Sequence, residues 1–231
     1  MADEFELAVL SDMPNYYDWI MDTFAPFVRG HVVEYGAGTG TISQRLAATA
    51  VQLTLVEPSP QLVAVLRNRF RDNGKVTVVD ASLEQHAASG ETAMLDTVVM
   101  VNVLEHIEQD REALAHLFRM LRPGGHLLIF VPALQVLMSK LDVKFGHFRR
   151  YHRGELAEKV AGAGGTPIVF RYFDFAGIMP WLVLNKLFGA TTFNPQFVRA
   201  HDKFVVPVSR AIERVIVPPI GKNLILVAQK R

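Results

Sequence analysis

Three glycines alternate with other residues directly behind a short apolar run, in the stretch VVEYGAGTG at 32–40. Glycine allows the main chain to approach a ligand closely. A helix beginning near Thr39 would offer free amides and the positive end of its dipole to an anionic group. An acid, Glu34, stands just before the glycines and would attract a cationic group. This combination indicates a site for a nucleotide-like ligand that carries both charges.

Other candidate groups follow the later apolar segments. Glu57 lies about twenty residues beyond Gly36, where a carboxylate can accept hydrogen bonds from both hydroxyls of a ribose. An acid followed by backbone amides, DAS at 80–82, can recognise the edge of an adenine. The stretch NVLEH at 102–106 ends in a histidine, and His106 could accept a proton near neutral pH.

The order of the apolar segments indicates which elements must position these groups. Short runs rich in Val, Ile and Leu alternate with amphipathic segments, which predicts βαβ units and a parallel sheet covered on both faces. Ligands of such sheets bind where the carboxyl ends of the strands meet, so groups that follow different strands would come together. The predicted strands are 31–36, 51–58, 75–81, 96–103 and 125–133, and the predicted helices are 39–49, 59–70 and 111–121.

Residues 1–30 and 177–219 fall outside this alternation, and we expect both to form helical cover over one domain that spans 1–231. The last predicted helix of the second region has an apolar face formed by Val208, Ile212, Val215 and Ile216. That face would complete the core, turn toward the ligand pocket or rest on an anionic membrane surface. The aromatic residues of this region that could line a channel are Trp181, Phe188 and Phe197.

The spacing of the glycines separates two classes of cofactor. The dinucleotide fingerprint G-x-G-x-x-G, counted from Gly36, would need a glycine where Thr41 stands, but the third glycine here is Gly40. Glu34 would also repel a pyrophosphate, whereas it would attract an ammonium group. A ligand with one ribose, one adenine, a carboxylate and an ammonium group fits all of the strand ends, and that ligand is S-adenosylmethionine.

Five motifs, in order along the chain, resemble those of the class I S-adenosylmethionine-dependent methyltransferases. They lie at 34–40, 57, 80–81, 102–106 and 121–125. NYYDWI at 15–20 and GHFRRYHRGEL at 146–156 resemble bacterial members that act on small molecules or lipid-linked acceptors. The resemblance implies a Rossmann-like α/β fold with a seven-stranded, mostly parallel sheet and an antiparallel last strand. Residues 166–175 and 223–230 suit the two final strands, with 177–219 as a helical insert between them.

The resemblance also implies roles for individual residues. Cofactor contacts are expected from Tyr17, Trp19, Glu34, Gly36, Ala37, Gly38, Gly40, Glu57, Pro58, Asp80, Ala81, Ser82, Asn102, Val103 and His106. Acceptor contacts are expected from Tyr16, Arg149, Arg150, Tyr151 and Trp181. A hydroxyl acceptor needs a base, and the candidates are His106 as first choice, then His147 and His152.

We expect the transfer to be independent of a metal. The sulfonium already activates the methyl group, so the rate of an in-line displacement depends on how well the reacting atoms are aligned. Glu105, Glu108 and Asp110 follow the fourth predicted strand, but they stand at the start of a helix, where acids are common. We therefore predict no metal site.

Composition narrows the class of partner. A formal net charge of +1 argues against a nucleic-acid binder, and the lack of cysteine excludes a thiolate metal site and a cysteine nucleophile. We expect a small-molecule acceptor, hydrophobic or lipid-linked, that is methylated on a hydroxyl or carboxyl oxygen. Peripheral contact with a membrane through the insert is a further expectation. The acidic N-terminal stretch lacks the layout of a signal peptide, which favours a cytoplasmic location.

Other functions fit part of the pattern. N- or C-methylation of a similar acceptor would use the same cofactor site. A nicotinamide-dependent reductase is disfavoured by the glycine spacing, and a non-catalytic protein that keeps the cofactor fold would retain the same acids. A nucleic-acid methyltransferase would be expected to carry a basic face and a proline-rich motif after the fourth strand, where this chain has NVLE at 102–105.

Overall fold

The computed structural model describes residues 4–88 and 95–231, and within them the chain folds around one seven-stranded sheet. The strands are β1 (His31–Tyr35), β2 (Gln52–Glu57), β3 (Val76–Asp80), β4 (Leu95–Val101), β5 (Leu121–Pro132), β6 (Gly165–Phe173) and β7 (Asn223–Lys230). Their order across the sheet is β3-β2-β1-β4-β5-β7-β6. Strands β1 to β5 are parallel, whereas β7 lies between β5 and β6 and is antiparallel to both. The predicted fold class is confirmed.

The start of β5 differs most from the predicted strand boundaries, and the reason is local. The turn at 121–125, expected to precede the strand, is the first part of β5. Leu121 pairs with Leu95 on β4, and after a shift in register Thr97 pairs with His126. Gly124, with φ of +77°, adopts the left-handed conformation that glycine accommodates most easily. The extra residues are therefore absorbed as a bulge at the start of the strand.

Helices cover both faces of the sheet. They are α1 (Glu4–Ser11), α2 (Pro14–Phe24), α3 (Thr41–Ala47), α4 (Pro60–Arg69), α5 (Leu83–Ala88), α6 (Asp110–Met120), α7 (Lys140–Phe145) and α8 (Arg153–Gly162). Leu127 and Ile129 of β5 belong to the apolar cluster that contains α6. Leu128 and Phe130 belong to the cluster on the other face, which contains α2. Burial on both faces explains why the strands are nearly continuous apolar runs.

The insert between β6 and β7 is helical, as predicted. It contains α9 (Ile178–Pro180), a π-helical segment (Trp181–Leu187), α10 (Pro195–Ala200), a second π-helical segment (His201–Val205) and α11 (Val206–Glu213). Asp202 accepts a hydrogen bond from the backbone amide of Tyr16 on α2 at 2.9 Å, and Glu213 accepts one from that of Phe175 at 2.8 Å. These buried carboxylates attach the insert to α2 and to the end of β6. Among the described residues, no helix combines the length and apolarity needed to cross a bilayer.

The apolar face of the last predicted helix turns neither into the core nor toward the cavity. The four apolar residues of that face, Val208, Ile212, Val215 and Ile216, are all exposed. The side that packs inward carries Val206, Ser209 and Glu213 instead. The reason is that Glu213 accepts hydrogen bonds from the backbone amides of 174 and 175, which would otherwise lose a partner on burial.

Candidate active site

The loop after β1 depends on glycine for its shape. Gly36 has φ of +65°, and a Cβ at this position would lie 2.5 Å from Cγ2 of Val103. Any other residue would therefore be strained and would clash. The amide of Gly36 donates a hydrogen bond to the carbonyl of Val56 at 2.8 Å, and Gly40 takes the position that precedes α3. The loop is thus packed between the end of β2 and the segment that follows β4.

Glu57, at the end of β2, holds this loop in place. Its two carboxylate oxygens accept hydrogen bonds from the backbone amides of Gly38 at 2.9 Å and Ser59 at 3.0 Å. Burial raises the pKa of Glu57, and the two hydrogen bonds oppose that rise. Asp80 pairs in register with Glu57 at the end of β3, and its side chain is exposed. We use the name strand-end shelf for Glu57, Pro58, Asp80, Ala81 and Ser82.

Glu34, the acid before the glycines, is buried. Its Oε2 accepts a hydrogen bond from Oγ of Ser43 on α3 at 2.6 Å. Burial raises the pKa of Glu34 to about 8, although the bond from Ser43 acts in the opposite direction. A cationic group placed beside this carboxyl would stabilise its ionised form. The position therefore favours a ligand with a positive charge.

A cavity of about 790 Å³ lies beside the glycine loop, at the carboxyl ends of β1, β4 and β5. The predicted site residues that line it are Tyr16, Tyr17, Glu34, Gly36, Ala37, Gly38, Asn102, His106, His147, Arg150 and Trp181. The insert adds an apolar wall that includes Leu184, Phe193, Phe197 and Phe204. Phe188 is exposed and does not contribute to this wall. Gly40, Val103 and the strand-end shelf also stand outside the lining, so the shelf forms a separate surface next to the cavity.

His106 and His147 lie next to each other in the cavity lining, and the buried carboxylate of Glu105 lies close to both. One ligating atom of each of Glu105, His106 and His147 lies within 4.8 Å of the others. The two imidazole rings meet edge to face, with centroids 4.7 Å apart. Burial, together with the neighbouring His147, lowers the pKa of His106 to about 4, and burial raises the pKa of Glu105 to about 7. His106 is therefore neutral at pH 7 and has surface open to the cavity.

Asp142 fixes the orientation of His147. One carboxylate oxygen of Asp142 lies 3.0 Å from Nδ1 of His147 and accepts a hydrogen bond from Nε of Arg150 at 2.9 Å. The other oxygen accepts a hydrogen bond from Oγ of Ser139 at 2.7 Å. Burial alone would raise the pKa of Asp142, but these partners outweigh it and lower the pKa. An ionised carboxylate at Nδ1 leaves Nε2 of His147 as the nitrogen available for other contacts.

The sequence did not identify Glu105 and Asp142 as site residues. Glu105 was interpreted as one acid of a helix start, but it lies in the 3₁₀ turn Leu104–His106 and is buried. Asp142 forms a capping box with Ser139 at the start of α7. That Ser-x-x-Asp spacing can be read from the sequence, yet it predicts only a helix start and not a contact with His147.

Four further predicted site residues also lie outside the cavity lining. Trp19 is buried in the core, and the centroid of its ring lies 3.9 Å from that of Phe173 on β6. Tyr151 donates a hydrogen bond to Asp110 at 2.8 Å, and Arg149 forms an ion pair with the same carboxylate at 2.9 Å. His152 is exposed and directly precedes α8. Core packing and the contacts with α6 hold the first three of these side chains away from the site.

Comparison with known proteins assigns the first part of the chain to a known type of domain. Residues 33–127 match the family model described as a methyltransferase domain, and they include the glycine loop, the strand-end shelf and the 102–106 segment. The ubiquinone biosynthesis O-methyltransferase of Aromatoleum aromaticum is 30% identical over 115 residues, which cover 49% of this chain and 48% of that protein. The chain spans about half the length of the curated relatives it matches.

Solved structures share the fold over nearly the whole chain. The N-methyltransferase NodS from Bradyrhizobium japonicum WM9, in complex with S-adenosyl-l-homocysteine, has a TM-score of 0.59 at 13% identity and covers 92% of this chain and 84% of its own. The [4+2]-cyclase SpnF has a TM-score of 0.59 at 18% identity, with coverages of 94% and 81%. Likeness at these identities shows the fold alone. The domain match over 33–127 and the shared fold agree with the predicted resemblance to the class I S-adenosylmethionine-dependent methyltransferases.

Proposed function

We propose that this chain uses S-adenosylmethionine to methylate an oxygen atom of a small, apolar acceptor. The observation that carries the proposal is the hydrogen bond from the amide of Gly38 to Glu57, which joins the glycine loop to the strand-end shelf. A nicotinamide-dependent reductase is the competing enzyme. It would place a pyrophosphate against the buried Glu34, and the third glycine of its fingerprint would fall at Thr41.

Each part of the donor has a matching group at this end of the site. Glu57 already accepts two backbone hydrogen bonds, but each carboxylate oxygen has a second lone pair that a ribose hydroxyl can use. In this proposal the exposed carboxylate of Asp80 contacts the adenine, because the amides of Ala81 and Ser82 already donate to the carbonyl of Glu57 and the side chain of Gln85. Glu34 faces the cavity and suits the ammonium group, while Ala37 and Thr39 of the loop also line the cavity and offer their backbone amides to the carboxylate.

The methyl transfer itself is an in-line displacement. The acceptor oxygen forms a bond to the methyl carbon while the carbon–sulfur bond breaks, and the sulfur leaves as a neutral thioether. This step uses no metal in our proposal, because the sulfonium supplies the activation and the protein supplies the alignment. A carboxylate acceptor can attack directly, whereas a hydroxyl must first lose its proton. His106 lines the cavity and remains our first candidate for the base, with His147 adjacent to it.

The insert is proposed to select the acceptor. Its apolar wall, which includes Leu184, Phe193 and Phe197, supports a hydrophobic or lipid-linked molecule. Among the described residues, most exposed large apolar side chains lie between Met179 and Ile220, which supports peripheral contact with a membrane as a source of such an acceptor. N- or C-methylation of the same acceptor class is the second candidate, because it would use the same donor site and the same apolar wall.

In this proposal, residues 1–231 act as one methyltransferase domain, with 1–30 and 177–219 as its cover. A net charge of +1 supports a small-molecule partner and not a nucleic acid. A chain without cysteine needs no oxidising compartment, which is consistent with the cytoplasmic location expected from the sequence.

Calorimetric titration tests the donor half of the proposal. S-adenosylmethionine should bind to the wild-type protein, whereas NADH and NADPH should give no heat of binding. Glu57→Ala should weaken the affinity by about 1–3 kcal/mol, because it leaves ribose hydroxyls unpaired and frees the amide of Gly38. Asp72→Ala, which removes an exposed acid away from the strand ends, is the matched control. Equal affinity in wild type and Glu57→Ala would contradict the assignment.

A further inference from the structure

Glu105 is a buried acid whose carboxylate has no hydrogen-bond partner among the described residues. Its relative exposure is 0%, and neither carboxylate oxygen has a hydrogen-bond partner. The hydrogen bonds of the nearby Arg150 side chain go to Asp142 and to the carbonyl of Ala133. Burying a carboxylate without partners is costly, and such groups in folded proteins are normally paired or bound to a metal. A cation bound at this position would therefore stabilise the carboxylate of Glu105.

His147 presents a nitrogen toward this carboxylate. Its Nε2 lies 4.0 Å from Oε1 of Glu105, while its Nδ1 is held by Asp142 at 3.0 Å. A histidine that binds a metal through one ring nitrogen usually donates the other N–H to a carboxylate, which fixes the tautomer and the ring. The chain Asp142–His147–Glu105 has this arrangement, with the space between the last two as the position of the ion.

His106 supplies a third donor from the neighbouring position in the sequence. A nitrogen of its ring lies within the same 4.8 Å group as those of Glu105 and His147. Both histidines line the cavity, so the group is open on one side. Two histidines and one carboxylate around an open position form a donor set that suits zinc and other divalent first-row transition metals.

We propose that Glu105, His106 and His147 bind a divalent transition-metal cation at the acceptor end of the cavity. Ligand distances of about 2.0–2.2 Å keep two donors on one ion within about 4.2 Å of each other. The observed separations of up to 4.8 Å therefore need a movement of about an ångström, which rotation of the side chains can supply.

The alternative is an ion pair in which His147 carries a proton between two carboxylates. It would satisfy Asp142 and leave Glu105 with a partner at 4.0 Å, which is too long for a hydrogen bond. It would also leave the adjacent His106 out of the interaction, although a nitrogen of its ring lies within the same group. A cation engages all three side chains, and Arg150 keeps its partner Asp142 in either case.

The role of the ion rests on the proposed function, although its binding does not. A hydroxyl oxygen bound to the cation loses its proton more readily, and the proton leaves through the open cavity to water. The methyl transfer that follows is unchanged. With the ion bound, His106 is a ligand and not the base, so this inference revises the metal-free deprotonation expected from the sequence.

Titration of tag-free protein tests the site directly. After dialysis against EDTA and removal of the chelator, Zn²⁺ is added in a calorimeter, and Co²⁺ is followed by visible absorption. We expect about one ion per chain and Co²⁺ d–d bands typical of nitrogen and oxygen ligands. Glu105→Gln and His147→Gln should weaken binding at least tenfold. His116→Gln, which changes a half-buried histidine on α6 outside the cavity lining, should bind as wild type does.

Substoichiometric uptake by the wild type, or equal Zn²⁺ affinity in wild type and Glu105→Gln, would overturn the proposal. Thermal unfolding with and without Zn²⁺ guards against variants that fail to fold, because an ion that binds only the folded state raises Tm. His106→Gln, at a side chain with open surface, gives a further variant that should fold. Binding of S-adenosylmethionine measured on the same samples separates the two ideas, since either ligand can bind while the other fails.

Discussion

The proposed donor end of the site, around the glycine loop and Glu57, and the proposed acceptor end, around the two histidines and the insert, are built in different ways. The donor end consists of main-chain groups and a few acids that follow successive strands, and its central hydrogen bond, Gly38 to Glu57, joins residues 19 apart in the chain. The acceptor end consists of side chains from distant segments. One of the bonds that attach the insert there, from the amide of Tyr16 to Asp202, joins residues 186 apart.

This difference indicates how each end is specified. Loops at strand ends are positioned by the sheet, so a short motif is enough to define the donor end. The acceptor end depends on where the insert and α7 pack, and small changes there would alter the cavity wall without changing the sheet. The matched methyltransferase domain, 33–127, contains the whole donor loop system and ends before the insert. We therefore expect changes at the two ends to affect separate properties.

Replacement of His106 should give the largest difference between the effect on turnover and the effect on cofactor affinity. Replacement by Ala should lower turnover by roughly 10²–10⁴-fold on a hydroxyl acceptor, because the group that promotes proton loss is removed. The affinity for S-adenosylmethionine should hardly change. Turnover is measured as release of S-adenosylhomocysteine, with an acceptor identified by incorporation of labelled methyl groups, and His116→Ala serves as the control. A fall in cofactor affinity as large as the fall in turnover would show that the two ends are not separate.

A smaller effect is expected in the wall that the insert provides. Phe197 lines the cavity although 66% of its surface is exposed, whereas Phe188 is 79% exposed and lies outside the lining. Phe197→Ala should raise the acceptor KM about three- to tenfold, through partial loss of apolar contact. Phe188→Ala should leave KM as in wild type, and neither should change cofactor affinity. If Phe197→Ala and Phe188→Ala have the same acceptor KM, the proposed contact between the insert and the acceptor is contradicted.

The smallest effect is a pH dependence at the donor end. Glu34, whose pKa burial raises to about 8, is mostly protonated at pH 7, and a bound ammonium group would favour its ionised form. Binding of S-adenosylmethionine should therefore release a proton and tighten roughly fivefold from pH 7 to pH 8. Calorimetry in buffers of different ionisation enthalpy measures both quantities. An identical slope in Glu34→Gln would assign the proton to another group.

The stability of the cofactor-free protein should depend on pH in the opposite sense to cofactor affinity. The folded pKa of Glu34 lies above its ordinary value of 4.5, so ionising this carboxyl costs stability. The contribution of Glu34 to the free energy of unfolding is lost as the pH rises from about 4.5 to about 8. Cofactor should remove that loss by pairing with the charge.

The sequence by itself determined the sheet and the donor end. Nearly continuous apolar strands define a parallel sheet with both faces buried, and a parallel sheet brings the groups after β1, β2 and β3 to one edge. The proposed roles of Gly36 and Glu57 follow from spacing alone, because they depend on the backbone at a strand end. Residues 166–175 and 223–230 were recognised as the antiparallel pair through the family resemblance, since periodicity does not give strand order.

Only the tertiary structure decided the acceptor end. Glu105 and His147 come together because α7 and the segment after it fold back over the turn that follows β4, where the amide of Phe148 donates a hydrogen bond to the carbonyl of Glu105. Whether Tyr151 faces a ligand or Asp110 likewise depends on packing that local patterns do not encode. The exposed apolar face of α11 shows the same limit, because the partners of Glu213 lie on β6 and the residues after it. A pattern along the chain reports which side chains share a face, but the direction of that face is set by contacts far away in sequence.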